Sequence, residues 1–190
     1  MISINPYATK KLKIIWITFI FFISFNTNSS TAIKFSDRIE EYTLPNKLKV
    51  ILLEDKRNPL VISSIWYRVG SSHETEGITG ISHILEHMMF KGTKKIKSGE
   101  FSKTIKNLGG RENAFTGRDF TGYYQRVHKK HLEKCLEMEA DRMKNLILKQ
   151  SDFEKELNVV KEERRLRVDD RPISKAFEKT LFQLFGFDGY

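Results

Sequence analysis

The sequence predicts an α+β fold in which a largely antiparallel sheet is covered by helices. Short segments rich in β-branched residues are typical of strands, and longer segments repeat apolar residues at helical spacing. The two kinds of segment follow one another without a strict strand–helix–strand alternation, which argues against a parallel sheet. Hydrophobic residues at 39% and charged residues at 30% give the 190-residue chain the composition of a globular protein.

Strands dominate the first part of the predicted fold. Residues 40–53 form two short strands around a turn at Pro45 and Asn46, and the apolar run in the second strand predicts burial on both faces. Residues 61–69 form a further strand that ends at Gly70. A polar loop over residues 71–80 leads into the first helix.

Helices dominate the second part. Two of them carry serine residues, Ser98 and Ser151, at positions typical of N-terminal caps. The predicted elements, in order, are a helix at 81–90 ended by Gly92, a helix at 98–108, extended segments at 111–116 and 121–127 around Gly117, an amphipathic helix at 130–148 with Leu132, Leu136, Met143, Leu146 and Ile147 on its apolar face, a helix from 151 to about 168 that is broken at Arg171 and Pro172, and a helix at 174–185.

Residues 1–32 resemble a secretory signal peptide. Three lysines precede an apolar run at residues 14–25, and small residues follow up to a predicted cleavage site after Ala32. The alternative is an uncleaved membrane anchor, but the run is shorter than the roughly 20 residues that span a bilayer. We therefore expect export of the remaining domain, residues 33–190, to the periplasm or the extracellular space. Contact with a membrane is expected only through this segment, if it stays uncleaved.

Charge and cysteine content restrict the possible functions. The net charge is +9, and removing the three lysines of residues 1–32 would leave 30 basic and 24 acidic residues, or +6. These charges are dispersed and no nucleic-acid-binding motif is present, so we expect no nucleic-acid partner. Cys135 is the only cysteine, which excludes an intrachain disulfide and a cysteine metal cluster. Its apolar neighbours predict that it packs in the core.

The sequence His-Ile-Leu-Glu-His at residues 83–87 is an H-x-x-E-H motif within a predicted helix. Residues four apart share one face of a helix, so His83 and His87 can bind one zinc ion at about 2.0–2.1 Å from each nitrogen. Glu86 lies near the same face, where its carboxylate can accept a proton from a zinc-activated water. The alternative is a pair of surface histidines, although burying these groups without partners would be costly.

A catalytic zinc ion requires a third protein ligand. On a helical wheel of about 100° per residue, Glu156 and Glu163 lie within the apolar arc of their helix. Arg164 and Arg167 share that arc, so surface ion pairs are an alternative role for these glutamates. The candidate ligands in this helix are Glu154, Glu156, Glu162 and Glu163.

Three ordered motifs resemble the pitrilysin, insulinase and mitochondrial processing peptidase family of inverted-zincin peptidases, in particular its bacterial processing-peptidase-like branch. They are HILEHMMFKGT at 83–93, LGGRENAFT at 108–116 and NVVKEE at 158–163. The resemblance implies one zinc ion per chain bound by His83, His87 and Glu163, with Glu86 as the general base. It also implies that Glu156 supports the zinc site.

The same resemblance predicts how a peptide substrate binds. Asn113, Ala114, Phe115 and Thr116 match the family's edge strand, on which an extended peptide adds a further strand. An ordinary hairpin strand is the alternative interpretation of these four residues. His73, His128 and His131 lack partner spacing, and we expect them to be surface or loop residues. The usual basic residue of the family after Gly-Ser is replaced around Ser72 and His73.

Members of this family have two related halves that enclose the substrate. The resemblance therefore implies that residues 33–190 are an N-terminal peptidase domain truncated at its C-terminal end, which would need a second homologous half or a partner chain. Two hypotheses remain: a zinc metalloendopeptidase, and a non-catalytic or partner-dependent subunit with the same fold. The presence together of His83, Glu86, His87 and Glu163 favours the peptidase.

Overall fold

A computed structural model describes residues 38–185. The predicted signal peptide at residues 1–32 lies outside the described residues. The described chain divides after Lys56 into two units, which are considered separately. None of the helices described in this range has both the length and the apolar composition required to cross a bilayer.

The first unit contains a β-hairpin. Strands β1 (Ile39–Thr43) and β2 (Lys49–Leu53) pair antiparallel, which confirms the two predicted strands and their turn. The prediction that β2 is buried on both faces was wrong, since Ile51 is 62% exposed and Val50 is only partly buried. The physical reason is that, among the described residues of this unit, no second layer packs on the two-stranded sheet, so both of its faces stay open.

The second unit is built on a three-stranded antiparallel sheet. Its strands are β3 (Leu60–Tyr67), β4 (Arg111–Thr116) and β5 (Thr121–His128), in the order β3-β5-β4. The register places Phe115 of β4 opposite Gly122 of β5. A side chain at Gly122 would collide with the Phe115 ring, since its Cβ would lie 2.6 Å from Cζ of that ring. Within the described chain, β4 pairs with β5 alone and so forms an edge of this sheet.

Within residues 38–185, five α-helices accompany the sheet. The third helix follows a 3₁₀ turn, and the fourth continues into a π-helical turn at Arg165–Asp169. The helices are α1 (Ile81–Met88), α2 (Glu100–Asn107), α3 (Leu132–Asn145), α4 (Gln150–Arg164) and α5 (Pro172–Phe185). The mixed, antiparallel architecture confirms the predicted fold class.

Two apolar clusters hold the second unit together. The larger is formed by Phe101, Ile105, Val127, Cys135 and Met138 and joins α2, α3 and β5. Cys135 is fully buried there, which confirms its predicted place in the core. Full burial of a larger side chain in this cluster, such as Ile105 or Met138, contributes on the order of 1.5–3 kcal/mol.

The smaller cluster determines where the functional groups lie. Ile84 and Met88 of α1 pack against Val160 of α4, with Phe153 and Leu157 beside them. Because α1 carries the H-x-x-E-H motif and α4 carries the candidate glutamates, this apolar contact brings the two sets of polar groups together.

The predicted apolar face of α3 was wrong in part. Leu136 and Met143 are 49% and 55% exposed, whereas Glu139 and Arg142 are buried. The Arg142 guanidinium lies over the rings of Phe90, Phe101 and Tyr123 at 5.1, 4.5 and 4.5 Å, and it pairs with Glu139. Hydrophobicity alone missed this face because a charge that is paired and stacked on aromatic rings can be buried.

Neither predicted serine cap forms. Helix α2 begins at Glu100 after Gly99, whose φ of 74° is unfavourable for other residues, and no side chain caps it. The Glu100 carboxylate instead accepts a hydrogen bond from Lys97 N at 2.8 Å. Helix α4 begins before Ser151, because the Lys149 carbonyl already accepts the first helical hydrogen bonds. Helix α5 starts at Pro172, a residue suited to the first position of a helix.

Candidate functional site

Helix α1 presents both histidines of the motif on one side. The ring centroids of His83 and His87 lie 4.9 Å apart, with the ring planes at 85°. The side chains are 12% and 19% exposed, so both rings are largely shielded from solvent. This is the arrangement that the four-residue spacing predicts.

Glu74 secures the beginning of α1. Its buried carboxylate accepts hydrogen bonds from Gly80 N at 2.7 Å and Ser82 N at 2.8 Å, two of the backbone groups that open a helix. The negative charge also interacts favourably with the positive end of the helix dipole. Sequence analysis missed this residue, because it lies outside the short patterns by which N-terminal caps are identified.

Helix α4 brings Glu163 to the two histidines. His83 Nε2 lies 3.8 Å from Glu163 Oε2, and His87 Nε2 lies 3.9 Å from Glu163 Oε1. Candidate ligand atoms of these three residues all lie within 4.8 Å of one another. Two of the other three candidates are directed elsewhere: exposed Glu162 pairs with Arg165, and exposed Glu154 accepts a hydrogen bond from Gln150. The structure therefore groups Glu163, and neither of these two glutamates, with the histidines.

The three residues fit a zinc ion. Atoms that are each about 2.1 Å from one ion lie at most about 4.2 Å apart. The imidazole of His83 lies 3.8 Å from one carboxylate oxygen of Glu163 and that of His87 lies 3.9 Å from the other, and each of these distances is below that limit. Glu163 Oε2 is buried, and within the described chain it makes no hydrogen bond. Arg167 Nη2 lies 3.1 Å from that oxygen but outside hydrogen-bond geometry. Two imidazoles and one carboxylate also leave the fourth position that a catalytic zinc requires.

His83 is held in the form that binds metals. Burial lowers the pKa of His83, and the neighbouring His87 lowers it further. The carboxylates of Glu86 and Glu163 act in the opposite direction without reversing the shift. A lowered pKa keeps the imidazole neutral near pH 7, with a lone pair available for coordination.

Glu156 lies behind His87 and is also bound by Lys91. Its Oε2 is 2.9 Å from His87 Nδ1, and its Oε1 is 2.5 Å from Lys91 Nζ. Burial raises the pKa of Glu156, but the hydrogen bonds from Lys91 and His87 outweigh this effect and lower it. An ionised Glu156 accepts a hydrogen bond from the Nδ1–H group of His87. The lone pair of the ring is then on Nε2, the nitrogen that faces Glu163. Sequence analysis did not identify Lys91.

Glu86 is linked to the edge strand. Thr116 Oγ1 donates a 2.6 Å hydrogen bond to Glu86 Oε2. Thr116 and Ala114 are half-buried, whereas Asn113 and Phe115 are exposed on the alternate positions of β4. The four residues predicted to bind substrate thus lie on the strand that contacts the predicted general base.

The other histidines lie apart from this group and make local contacts. Exposed His73 accepts a hydrogen bond from Gly70 N at 3.4 Å. His128 accepts one from Lys130 N, and its ring is 6.5 Å from that of His131. Beside His73, the Ser72 hydroxyl donates to the Arg118 carbonyl. The exposed position of His73 agrees with the expectation of a surface or loop residue, whereas His128 and His131 are partly buried, at the end of β5 and in the 3₁₀ turn after it.

Comparison with known proteins shows the family. The sequence profile of the family described as insulinase (peptidase family M16) matches residues 49–185. A zinc protease of Helicobacter pylori, PqqE, is 44% identical over 140 residues, which cover 73% of this chain and 31% of the relative. The mitochondrial-processing peptidase subunit beta of Bos taurus is 37% identical over 117 residues, or 62% of this chain and 24% of the relative.

Solved structures show the same relationship. The crystal structure of a protease from Helicobacter pylori superimposes with a TM-score of 0.73 and 39% sequence identity, covering 76% of this chain and 35% of that one. The chain spans about a quarter to a third of the length of the curated relatives it matches. A profile match over most of the chain, together with the shared fold, establishes that this protein belongs to the insulinase family, peptidase family M16.

Proposed function

We propose that the protein is the catalytic part of a zinc-dependent metalloendopeptidase that hydrolyses extended peptides. The observation that carries this proposal is the convergence of His83, His87 and Glu163 from two helices, with their candidate ligand atoms within 4.8 Å of one another. Family membership supports the reaction class, since the relative from Helicobacter pylori is named a zinc protease. One zinc ion per chain is expected from the single group found among the described residues.

The chemistry follows from the placement of Glu86. A zinc ion held by His83, His87 and Glu163 would supply the Lewis acidity that activates a water molecule and polarises the peptide carbonyl. Glu86 accepts the water proton during attack on the carbonyl carbon and later donates a proton to the leaving amine. The hydrogen bond from Thr116 fixes one carboxylate oxygen, which leaves the other for this proton transfer. Glu156 contributes indirectly by orienting the His87 ring.

Strand β4 is the proposed binding surface for substrate. It is an edge among the described strands, and an edge strand offers unpaired backbone groups to an extended peptide. Asn113, Ala114, Phe115 and Thr116 would align the peptide, with Thr116 beside Glu86. The scissile bond would therefore lie close to the general base.

We also propose a partner and an exported location. The chain spans only a fraction of its relatives, and one relative is named a subunit, so a second homologous half or partner chain would complete the enzyme. The lysines and apolar run within residues 1–32 support export to the periplasm or extracellular space. The competing function is a non-catalytic or partner-dependent subunit. This alternative is supported by the match to only 31% of the length of the relative from Helicobacter pylori.

The test combines metal analysis with peptide cleavage. The full chain and its Glu86→Gln variant are purified, and each is measured with and without a candidate second half. We expect about one zinc per chain in both proteins, with cleavage lost in Glu86→Gln because the residue acts on water and is not a ligand. Folded wild-type protein that neither retains nor takes up zinc at neutral pH would refute the proposal. If wild type binds zinc but cleaves no peptide, either alone or with the candidate second half, the result would favour the non-catalytic subunit.

A further inference from the structure

Lys91 and His87 hold the two oxygens of one carboxylate. Lys91 Nζ lies 2.5 Å from Glu156 Oε1, and His87 Nδ1 lies 2.9 Å from Glu156 Oε2. The side chains of Lys91 and Glu156 are 24% and 12% exposed, so this pair is largely shielded from water. Both oxygens of Glu156 are therefore engaged, one by a cation and one by a predicted zinc ligand.

The arrangement differs from an ordinary surface ion pair. Exposed pairs are held weakly because both side chains remain free to move and are screened by water. Here a half-buried lysine contacts a carboxylate whose other oxygen contacts the ring of His87. Moving the Glu156 carboxylate would therefore also move the partner that orients that ring.

Lys91 lies in the turn that follows α1, three residues beyond its last residue, Met88. From there its side chain reaches Glu156 on helix α4, which His87 contacts from within α1. The Lys91 amide donates to the Met88 carbonyl at 2.9 Å, which continues the turn of α1. Gly92 follows with a φ of 101°, and a Cβ there would lie 2.5 Å from the Ile96 carbonyl oxygen. This tight turn fixes the position from which Lys91 extends.

We propose that Lys91 is a positioning residue for the metal centre, which holds the Glu156 carboxylate where it orients His87 with Nε2 toward Glu163. The inference rests on the proposed zinc site. In this role Lys91 contacts neither the metal nor the substrate. It affects zinc affinity only through its contact with Glu156. Loss of a partner that orients a metal ligand typically weakens metal affinity about 10–100-fold.

The experiment measures zinc affinity of the full chain by competition with a chromophoric chelator. We expect Lys91→Met to weaken zinc binding about tenfold or more. Lys91→Arg, which restores a cation, is expected to recover most of that loss. Lys94→Met is the matched control, since Lys94 is exposed and three residues away, and its affinity should equal that of wild type. Thermal unfolding, measured with excess chelator present, shows whether each variant is folded in the absence of metal.

A second comparison separates positioning from general structure. In a Glu156→Gln background, adding Lys91→Met is expected to cause no further loss of zinc affinity, because the route through Glu156 is already removed. The inference would be overturned if Lys91→Met weakened zinc binding as much in the Glu156→Gln background as it does in the wild-type background. If Lys91→Met does not fold, Lys91→Arg and Lys91→Gln decide: equal affinity in both would show that the cation is not required and would also overturn it.

Failure of this inference is distinguishable from failure of the proposed function. Wild type that does not bind zinc refutes the zinc site itself, and with it any role for Lys91. Wild type that binds zinc, together with a folded Lys91→Met variant of unchanged affinity, refutes only the role of Lys91.

Discussion

Thr116 donates a hydrogen bond to Glu86 across the gap between the edge strand and the motif helix, with 2.6 Å between the two oxygens. This bond connects the strand proposed to hold the peptide with the carboxylate proposed to activate water. Both groups are partly buried, so the bond is shielded from competition with solvent. The proposed substrate strand therefore contacts the proposed base directly.

The first prediction concerns this bond. Thr116→Val keeps the shape of the side chain but removes the donor, and we expect kcat for peptide cleavage to fall about tenfold or more. General acid–base catalysis contributes about 10²–10⁴ and depends on the orientation of the base. Zinc affinity should stay unchanged, and Thr116→Ser should retain activity. Equal kcat in Thr116→Val and wild type would show that the bond does not orient Glu86.

The third ligand can be tested by comparing two adjacent glutamates. Glu163→Gln should weaken zinc binding by more than the 10–100-fold typical for loss of an outer-sphere partner. Glu162→Gln is the matched control, because exposed Glu162 pairs with Arg165 instead. Competition with a chromophoric chelator measures both affinities. If Glu162→Gln weakened zinc binding and Glu163→Gln did not, the third ligand would be Glu162.

Glu74 should stabilise the start of the motif helix. Replacing it with alanine removes the acceptor for Gly80 N and Ser82 N, and losing such a cap typically costs about 0.5–2 kcal/mol of unfolding free energy. Glu76→Ala, in the same loop but exposed, is the control. Urea unfolding measures both. Identical stability of Glu74→Ala and Glu76→Ala would contradict the assigned role.

The buried pair of Glu139 and Arg142 should be strongly required for folding. Glu139→Gln leaves the Arg142 charge uncompensated, and breaking a buried pair in this way typically costs about 3–5 kcal/mol. The aromatic rings around Arg142 offset only part of that loss. Exposed Glu137→Gln serves as the control in urea unfolding, and it should differ little from wild type.

Asp141 provides a prediction of acid sensitivity. Hydrogen bonds from Thr93 and Asn145 lower its pKa below the usual value of 3.8. A lowered carboxylate pKa stabilises the fold above the unfolded-state pKa, and this contribution disappears as the pH falls through the folded-state pKa. Thr93→Val should therefore destabilise the protein more at pH 7 than at pH 2.5. Urea unfolding at both pH values measures the difference, and an equal loss at both would rule out the ionised carboxylate as its source.

The agreement between sequence and structure is best for local features. The four-residue spacing of His83 and His87 predicts their shared helix face, because a helix repeats every 3.6 residues. The same periodicity selected Glu156 and Glu163, and the structure places both beside α1. The extended segments predicted on either side of Gly117 match β4 and β5 to within one residue at each end.

The disagreements arise where a residue's environment comes from distant parts of the chain. Leu136 was assigned to a buried face, but α3 buries Arg142 instead because aromatic residues of other elements surround it. Ile51 was expected in a core, yet the described part of its unit, residues 38–56, is a hairpin with no second layer against it. Neither environment leaves a local pattern in the sequence.

The sequence by itself determined the donor groups: two imidazoles one helical turn apart, a carboxylate next to one of them, and glutamates on the apolar side of a later helix. Helical periodicity did not choose between Glu156 and Glu163, and only the family resemblance favoured Glu163, which the tertiary structure places beside the histidines. The tertiary structure alone decided that Lys91 supports Glu156, that Glu74 caps α1 and that Thr116 binds Glu86. The physical reason is the distance along the sequence over which each effect acts. Helical periodicity acts between neighbouring residues, whereas these contacts depend on the packing of Ile84 and Met88 against Val160 and on the pairing of β4 with β5.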